Sequence, residues 1–573
     1  MGYREMYEKW LASPVVDQAT KDELLSIAGD EKEIEGRFGR MLEFGTAGLR
    51  GIMRAGLNGM NVYTVRYATQ GMANLINTCG EDKGSGVTIA HDCRNHAREF
   101  AIEAACVLAA NGIHVNLFDD LRPTPELSFG LRETGSLAGI NITASHNPKE
   151  YNGYKVYWSD GAQMPPEHAA KVAQSMAEID IFDDVKTMPY ADAEAAGLIT
   201  IIGEEIDEKY LANVLAQSVG KRYVDAAPDD FQILYTPFHG AGYKLVPEIL
   251  KRLGMKHVLT VPEQMVVDGN FPTVQSPNPE NVEGFDLAIE YAKKWNVEMV
   301  IGTDPDSDRC GIAVKTDDGY IALTGNQIGV LLLDYLITVR KENGTLPDNA
   351  AAIKSIVSTT MANKVCEVNG VTMIETLTGF KFMGEKIKEF LQTGEYTFIF
   401  AFEESIGFLA GTYARDKDAV VASMLIAEMA CWYKSRGMNL YEGMQSLYKK
   451  YGYYKEKSTS VYFDGFDASE KMAKLMEGLR ANAPSEVGLP VVRVRDYLTG
   501  VITDLRTGET SPTGLPKSNV LYFELEDGNS AIIRPSGTEP KIKLYVMVKG
   551  SSAEEAEKLF DLVQREGVKM MQG

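Results

Sequence analysis

The chain has 573 residues, 45% of them hydrophobic and 24% charged, with 80 acidic against 58 basic residues and a formal net charge of −22. That length exceeds what one hydrophobic core supports, so several domains are expected. The acidic balance excludes nucleic acid as the partner, because phosphate-backbone binding needs a basic face, and no apolar run approaches the ~18 residues of a membrane span. The opening Met1-Gly2-Tyr3-Arg4-Glu5-Met6 is charged, lacks a secretory signal core, and has Met6 where a myristoylation motif wants Ser or Thr. Six scattered cysteines without a CxxC pair read as reduced thiols, which places the protein in the cytoplasm. If the substrate is anionic, a local basic pocket must sit inside this acidic shell.

In chain order, the first motif is Glu43-Phe44-Gly45-Thr46-Ala47-Gly48-Leu49-Arg50-Gly51, which by itself is only a glycine-rich turn. A unit of apolar helix, closing Gly and β-branched strand then occurs three times. The copies are 101–110 with Gly112 and 113–115, 245–253 with Gly254 and 258–261, and 362–368 with Gly370 and 371–374. Gly just past a helix end supplies the left-handed C′ residue. Strands alternating with helices imply parallel β-sheet built from βαβ units. The spacing is too long for a solenoid, so related α/β domains are expected. After about residue 455 the pattern changes. The runs 520–526 and 530–533 flank Asp527-Gly528-Asn529, a hairpin signal, and 542–548 reads as another strand. Ser552 and Glu555 form a capping box for a final helix, giving a smaller α+β domain.

Two strings carry most of the chemistry. Thr143-Ala144-Ser145-His146-Asn147-Pro148-Lys149-Glu150-Tyr151-Asn152, with Gly153 and Lys155, follows an apolar strand and sets a hydroxyl among amide and cationic donors. Serine in such a turn is usually only a turn former. Ser145 and His146 are adjacent, so on an extended backbone they point apart and make no nucleophile–base pair. No GxSxG elbow is present, which argues against a hydrolase triad. Asp304-Pro305-Asp306-Ser307-Asp308-Arg309 follows the strand 297–301, and alternation puts its three carboxylates on one side of an extended segment. A solvated acidic loop is the bland alternative, but this is also a cage for a hard divalent cation. An EF-hand is excluded by Arg309 at the sixth position and Lys315 at the twelfth.

The serine string resembles the phosphoserine loop of the α-D-phosphohexomutase family, the phosphoglucomutases and phosphomannomutases, and the aspartate string resembles its metal loop. Three further strings fit: 43–51, Phe402-Glu403-Glu404-Ser405-Ile406-Gly407, and Arg534-Pro535-Ser536-Gly537-Thr538-Glu539-Pro540. The five follow the family's order. The resemblance implies three related α/β domains with mixed sheets plus a C-terminal α+β domain, divided as 1–210, 211–322, 323–452 and 453–573. It implies that Ser145 carries the transferable phosphate, crowded by His146, Asn147 and Lys155, with Arg50 aimed at it. Mg2+ would sit on Asp304, Asp306, Asp308 and phospho-Ser145, with Arg309 beside the phosphate. Glu403 and Ser405 would grip sugar hydroxyls, with Thr378 and Gly379 in a companion loop. Arg534, Ser536, Gly537 and Thr538 would clamp the non-reacting phosphate, on a fourth domain expected to be mobile. Lys417, in Arg415-Asp416-Lys417-Asp418, is the candidate general base, with Lys155 and His146 as alternatives, although a lysine between two aspartates is more often a plain ion pair.

The implied reaction interconverts glucose 1-phosphate and glucose 6-phosphate through phosphoserine and a glucose 1,6-bisphosphate, which also serves as primer. The partners are sugar phosphates, with no nucleic acid or membrane, and the protein is expected as monomer or dimer. Phe408 follows the EESIG run where other members carry His, and Leu377 and Phe380 replace Pro and Trp in the companion loop. The missing histidine points to the glucose side, whereas Leu377 and Phe380 depart from the companion loop of the glucose enzymes, and pentose or mannose phosphate stay as alternative substrates. A haloacid-dehalogenase phosphatase would leave the serine loop unexplained. A sugar-phosphate-binding pseudoenzyme should have lost the nucleophile or a metal ligand, and both are present.

Overall fold

The computed structural model describes residues 2–45, 48–463, 468–536 and 540–572. The chain divides into two compact units, Met1–Leu323 with Gly384–Gly394 and Ile406–Asn439, and Thr324–Met383 with Glu395–Ser405 and Leu440–Gly573. Among the described residues no helix is long and apolar enough to cross a membrane, and all six cysteines are free thiols.

The first unit opens with three short helices, Tyr3–Ala12, Gln18–Ser26 and Glu31–Phe38. Asp17 and Asp30 cap the second and third by accepting from the N–H groups of Thr20 and Glu33. Trp10, fully buried, meets Phe38, Tyr63 and Phe182 edge-on at ring separations of 5.7, 5.2 and 5.4 Å. These helices are therefore part of the first core rather than a loose arm.

That core surrounds a six-stranded sheet of β1 (Leu49–Ile52), β2 (Val87–His91), β3 (Val115–Phe118), β4 (Ala138–Ile142), β5 (Tyr151–Trp158) and β6 (Ile199–Ile202), in the order β1-β5-β4-β2-β3-β6. Strands β4, β2, β3 and β6 are parallel, and β5 runs against both β4 and β1. β2 and β4 are buried at every residue, as continuous apolar runs in parallel sheet should be. A second sheet holds β7 (Gln232–Thr236), β8 (His257–Thr260), β9 (Met299–Thr303), β10 (Cys310–Thr316) and β11 (Gly319–Leu323), in the order β11-β10-β9-β7-β8. The helix Ala419–Lys434 is buried from Ala419 to Tyr433, in keeping with its apolar character on all sides.

In the second unit β12 (Ala350–Ser355) lies between β13 (Thr372–Thr376) and β14 (Thr397–Glu403), parallel to both. A seven-stranded sheet follows, in the order Tyr453–Tyr462, Lys541–Gly550, Ser530–Pro535, Leu521–Leu525, Val491–Asp496, Val501–Asp504, Thr510–Pro512. The three helix–Gly–strand units are all present, with Gly112, Gly254 and Gly370 at φ 71°, 103° and 72°. The predicted hairpin forms, turning at Asp527 with φ 59°. The final capping box is altered. Glu555 N–H bonds to Ser552 Oγ at 3.2 Å, but its carboxylate takes the N–H of Ser551 at 2.6 Å, because the Ser551 hydroxyl offers it a second donor.

His91, at the end of β2, is only 6% exposed, with Nδ1 2.8 Å from the Asp92 carbonyl. Burial, with Arg98 adding to it, pushes its pKa from 6.5 down to about 4 against that hydrogen bond. The folded pKa is depressed, so the unfolded chain binds the proton first and stability is lost as pH falls from 6.5 toward 4. The full shift corresponds to about 3 kcal/mol. His91→Asn should remove that share, so urea midpoints at pH 7 and pH 4.5 should differ less in the variant than in the wild type. An equal pH dependence in both would show that His91 is not a buried neutral group.

Candidate active site

Ser145 lies just past the C-terminal end of β4, is 4% exposed, and adopts a left-handed φ of 52°. A non-glycine residue there costs on the order of 1–3 kcal/mol and persists only when its surroundings hold it. The holding groups are present. Thr143 Oγ1 accepts the Ser145 N–H at 2.8 Å and itself donates to Asp92 Oδ2 at 2.6 Å. Ser145 Oγ donates to Asp304 Oδ2 at 2.9 Å and stands 3.3 Å from His146 Nδ1. The expectation that Ser145 and His146 point apart is thereby corrected: the left-handed turn at Ser145 breaks the alternation of an extended chain. Burial, then the nearby Arg309 and Arg50 guanidiniums, push the His146 pKa well below its usual value, so the ring is neutral.

The aspartate loop joins β9 to β10. It is not the extended segment expected from alternation. Ser307 is left-handed at φ 51°, and the turn there folds the carboxylates inward. One oxygen from each of Asp304, Asp306 and Asp308 lies within 4.8 Å of the others, and all three residues are buried. Asp304 Oδ1 accepts the N–H groups of Asp308 and Arg309 at 3.0 and 2.9 Å. Asp306 Oδ1 and Asp308 Oδ1 are buried without a hydrogen-bond partner. Orphaned, converging carboxylate oxygens are what a hard cation requires, so the donor set fits Mg2+. Burial, then the charges of Asp306 and Asp308, push the Asp304 carboxyl well above the usual range.

Cations surround this cluster. Lys155, on β5, places Nζ 2.7 Å from Asp306 Oδ2 and 3.2 Å from Asp308 Oδ2. Burial disfavours the Asp306 carboxylate, but Lys155 outweighs it and keeps Asp306 ionised. Lys417 precedes the helix Ala419–Lys434 and sets Nζ 2.8 Å from Asp308 Oδ2 and 3.5 Å from Asp416 Oδ1. It is no surface ion pair. It is buried, and its carboxylate neighbours override burial and hold the ammonium well above its ordinary pKa. Arg50, on β1, donates to Asn147 Oδ1 at 3.0 Å. Arg309 donates to Glu280 at 3.1 Å. Ser145, His146, Asn147, Lys155, Arg50, Lys417, Arg309 and the three aspartates are thus brought together in the first unit.

The remaining expected residues lie in the second unit. Glu403 ends β14 and accepts the Gly379 N–H at 2.7 Å, a bond allowed by Gly379 at φ 122°. Thr378 Oγ1 is buried without a partner. Ser405, two residues beyond Glu403, is half-buried. Arg534 Nη1 donates to Tyr545 Oη at 3.4 Å, and Ser536 N–H to the Lys541 carbonyl at 2.8 Å. Gly537 and Thr538 lie outside the described residues, as do Thr46 and Ala47.

Sequence reasoning missed several contributors. Asp92 and Arg94 lie under the serine loop, and their signal was an Asp-x-Arg just past a buried parallel strand. Thr124 Oγ1 donates to Asp306 Oδ2 at 2.7 Å from the first turn of the helix Thr124–Glu133. Asp418 caps the helix after Lys417 through the N–H groups of Val420 and Val421, and accepts Tyr210 Oη and Tyr413 Oη at 2.8 and 2.6 Å. Asp416 accepts Tyr157 Oη at 2.9 Å.

A buried serine hydroxyl, a three-carboxylate cage and two lysines at the carboxylates suit phosphoryl transfer. The chain belongs to the phosphoglucomutase/phosphomannomutase family: residues 41–181, 208–319 and 324–451 match its alpha/beta/alpha domains I, II and III, and 498–565 its C-terminal domain. The phosphoglucomutase of Staphylococcus aureus strain MRSA252 is 38% identical over 523 residues, covering 91% of this chain and 92% of that one. That of Staphylococcus epidermidis is 36% identical over 544 residues, covering 94% and 96%. Parafusin, a phosphoglucomutase of Paramecium, shares the fold with a TM-score of 0.69 at 18% identity, covering 93% of this chain and 96% of that one. A Thermus thermophilus protein named as a putative phosphomannomutase gives 0.66 at 20% identity, covering 93% and 100%.

The crowded carboxylates give a stability prediction. Asp304→Asn should raise the unfolding temperature in a chelator, by relieving repulsion in the cage, and should remove the further rise that millimolar Mg2+ gives the wild type. Calorimetry with and without Mg2+ checks both, and an unchanged Mg2+ response in the variant would rule Asp304 out as a ligand.

Proposed function

We propose that the protein interconverts glucose 1-phosphate and glucose 6-phosphate, with Ser145 carrying the phosphoryl group and glucose 1,6-bisphosphate as intermediate and primer. The observation that carries this reading is the Ser145 hydroxyl set 2.9 Å from Asp304 within the carboxylate and lysine cluster. The names of the staphylococcal relatives favour glucose over mannose or pentose phosphate. Asp304, Asp306 and Asp308, with phospho-Ser145, would hold Mg2+, whose role when bound is to neutralise charge on the transferring group.

In one half-cycle the sugar 6-hydroxyl attacks phosphorus and gives its proton to Lys417, while the bond from Ser145 Oγ breaks and that oxygen takes a proton from His146 Nδ1. In the other, Ser145 Oγ attacks the second phosphate and gives its proton to His146 Nδ1, 3.3 Å away, while Lys417 returns a proton to the departing sugar oxygen. The protonated Lys417 beside Asp308 suits the second of these, in which the serine carries no phosphate. Arg50, Asn147, Lys155 and Arg309 orient the phosphoryl group, and the neutral His146 lends its ring nitrogen to the serine hydroxyl. Glu403, Ser405, Thr378 and Gly379 are assigned to the sugar hydroxyls, and Arg534, Ser536, Gly537 and Thr538 to the non-reacting phosphate. The phosphoserine, metal, sugar and phosphate loops are assigned in turn to 1–210, 211–322, 323–452 and 453–573. The free cysteines suit a cytoplasmic setting.

A coupled assay on glucose, mannose, N-acetylglucosamine and ribose 1-phosphates, with Mg2+ and bisphosphate primer, tests the reading. Glucose 1-phosphate should be the fastest substrate. Ser145→Ala should lose roughly a thousandfold or more in kcat, and the wild type should show phosphate mass on the Ser145 peptide. Undiminished turnover in Ser145→Ala would remove the serine from the mechanism. Lys417→Gln should lower kcat about 100-fold or more, the usual share of a positioned acid–base group, with the KM for glucose 1-phosphate little changed. A loss confined to KM would make Lys417 a binding residue only.

A further inference from the structure

Four backbone carbonyls of the serine loop converge on one guanidinium. Arg94 Nη2 donates to the carbonyls of Ser145 and Asn147 at 2.5 and 2.6 Å, and Nη1 to those of Pro148 and Tyr151 at 2.8 and 2.9 Å. The two NH2 groups carry four hydrogens, and all four are used. Arg94 is itself fixed. Its N–H bonds to Asp92 Oδ1 at 2.9 Å, its Nε lies 3.3 Å from Asp92 Oδ2, and Phe271 covers its guanidinium at 5.3 Å. The other Asp92 contact runs to the loop, since Oδ2 accepts from Thr143 Oγ1, which in turn accepts the Ser145 N–H. Asp92 and Arg94 therefore hold both sides of the Ser145 backbone, its N–H and its carbonyl, and both residues have side chains fully closed to solvent.

We propose that Arg94, fixed by Asp92, is a positioning residue that maintains the left-handed turn at Ser145 and so fixes where the serine oxygen stands. The proposal rests on Ser145 being the phosphoryl carrier. The physical case is strain. A serine at φ 52° relaxes unless held, and relaxation returns it to the extended geometry in which its side chain points elsewhere. A displacement of about 1 Å from a near-attack position costs on the order of 100-fold in rate. Lysine cannot replace the arginine, because an ammonium has three donors in a tetrahedral array and cannot bridge four carbonyls from one plane. The guanidinium also gathers carbonyl oxygens that would otherwise present partial negative charge to a phosphate.

The test compares wild type, Arg94→Lys, Asp92→Asn and Ser145→Ala, all full-length. Amide hydrogen exchange of the peptide spanning 143–152 should quicken at least about tenfold in the Arg94 and Asp92 variants, with peptides of the second unit unchanged. This readout is independent of activity and stands even if Ser145 proves not to carry phosphate. In the coupled assay, Arg94→Lys should lose on the order of 100-fold in kcat for glucose 1-phosphate while KM stays within about threefold. Asp92→Asn should lose less, since its single amide oxygen can still accept one of the two donors, the Arg94 N–H or the Thr143 hydroxyl, and Arg94 keeps its four carbonyls. Wild-type exchange and wild-type kcat in both variants would overturn the proposal, as would quickened exchange with undiminished kcat. Turnover retained in Ser145→Ala would instead overturn the proposed function.

Discussion

The site depends on three carboxylates held within 4.8 Å of one another in a loop closed to water. Two unit charges about 4 Å apart interact with roughly 4 kcal/mol at the effective dielectric of a protein site, so without compensation this loop would open. The compensation comes from the backbone as much as from side chains. Three helices begin at the loop. The N–H of Thr124 donates to the Asp306 carbonyl at 2.8 Å, that of Ala241 to Pro305 at 2.8 Å, and that of Ala419 to Ser307 at 3.1 Å. The helices Thr124–Glu133, Gly242–Leu253 and Ala419–Lys434 thus turn the positive ends of their dipoles toward the same few residues. Lys155 and Lys417 add full charges at 2.7 and 2.8 Å.

Bringing three helix ends to one loop demands close approach, and glycine provides it. A Cβ at Gly240 would stand 2.5 Å from Pro305 Cα, and one at Gly242 only 2.3 Å from Tyr235 Oη and 2.9 Å from Ser307 Oγ. The Phe238-His239-Gly240-Ala241-Gly242 run is therefore a packing device that lets the second sheet's helix reach the aspartates. The same crowding keeps Ser307 in its left-handed turn, as Asp92 and Arg94 keep Ser145 in its own. Strain at the two serines is matched by hydrogen bonds and close packing from elements far away in sequence.

This explains what the sequence could and could not disclose. The helix–Gly–strand units, the C-terminal hairpin and the serine and aspartate loops depend on local pattern, and all were legible. Both loops lie just past strand ends, where parallel sheets collect ligands. The conformation inside each loop was not legible. Alternation of residues assumed an extended chain, whereas φ 52° at Ser145 and φ 51° at Ser307 come from tertiary contacts. The supporting shell was hidden for the same reason. Asp418 takes Tyr210 Oη from 208 positions away, and Thr124 reaches Asp306 across 182. Spacing along one chain carries no trace of such pairs.

The chain's acidity becomes intelligible at this scale. Charges are screened beyond about 8–10 Å in ordinary salt, so the bulk of the net charge of −22 is not felt at the serine. What an arriving phosphate would meet is local: Lys155 and Lys417 on the aspartates, Arg309 beside them and Arg50 on Asn147. Each aspartate is already engaged, Asp306 by Lys155 and Thr124, Asp308 by both lysines, and Asp304 by two backbone N–H groups and the serine hydroxyl. A divalent cation added to this cluster would tip a near balance toward positive charge. On the proposed reading the cage would be almost neutral before the cation arrives, so that the added charge would be available to the phosphoryl group rather than spent on holding the loop shut.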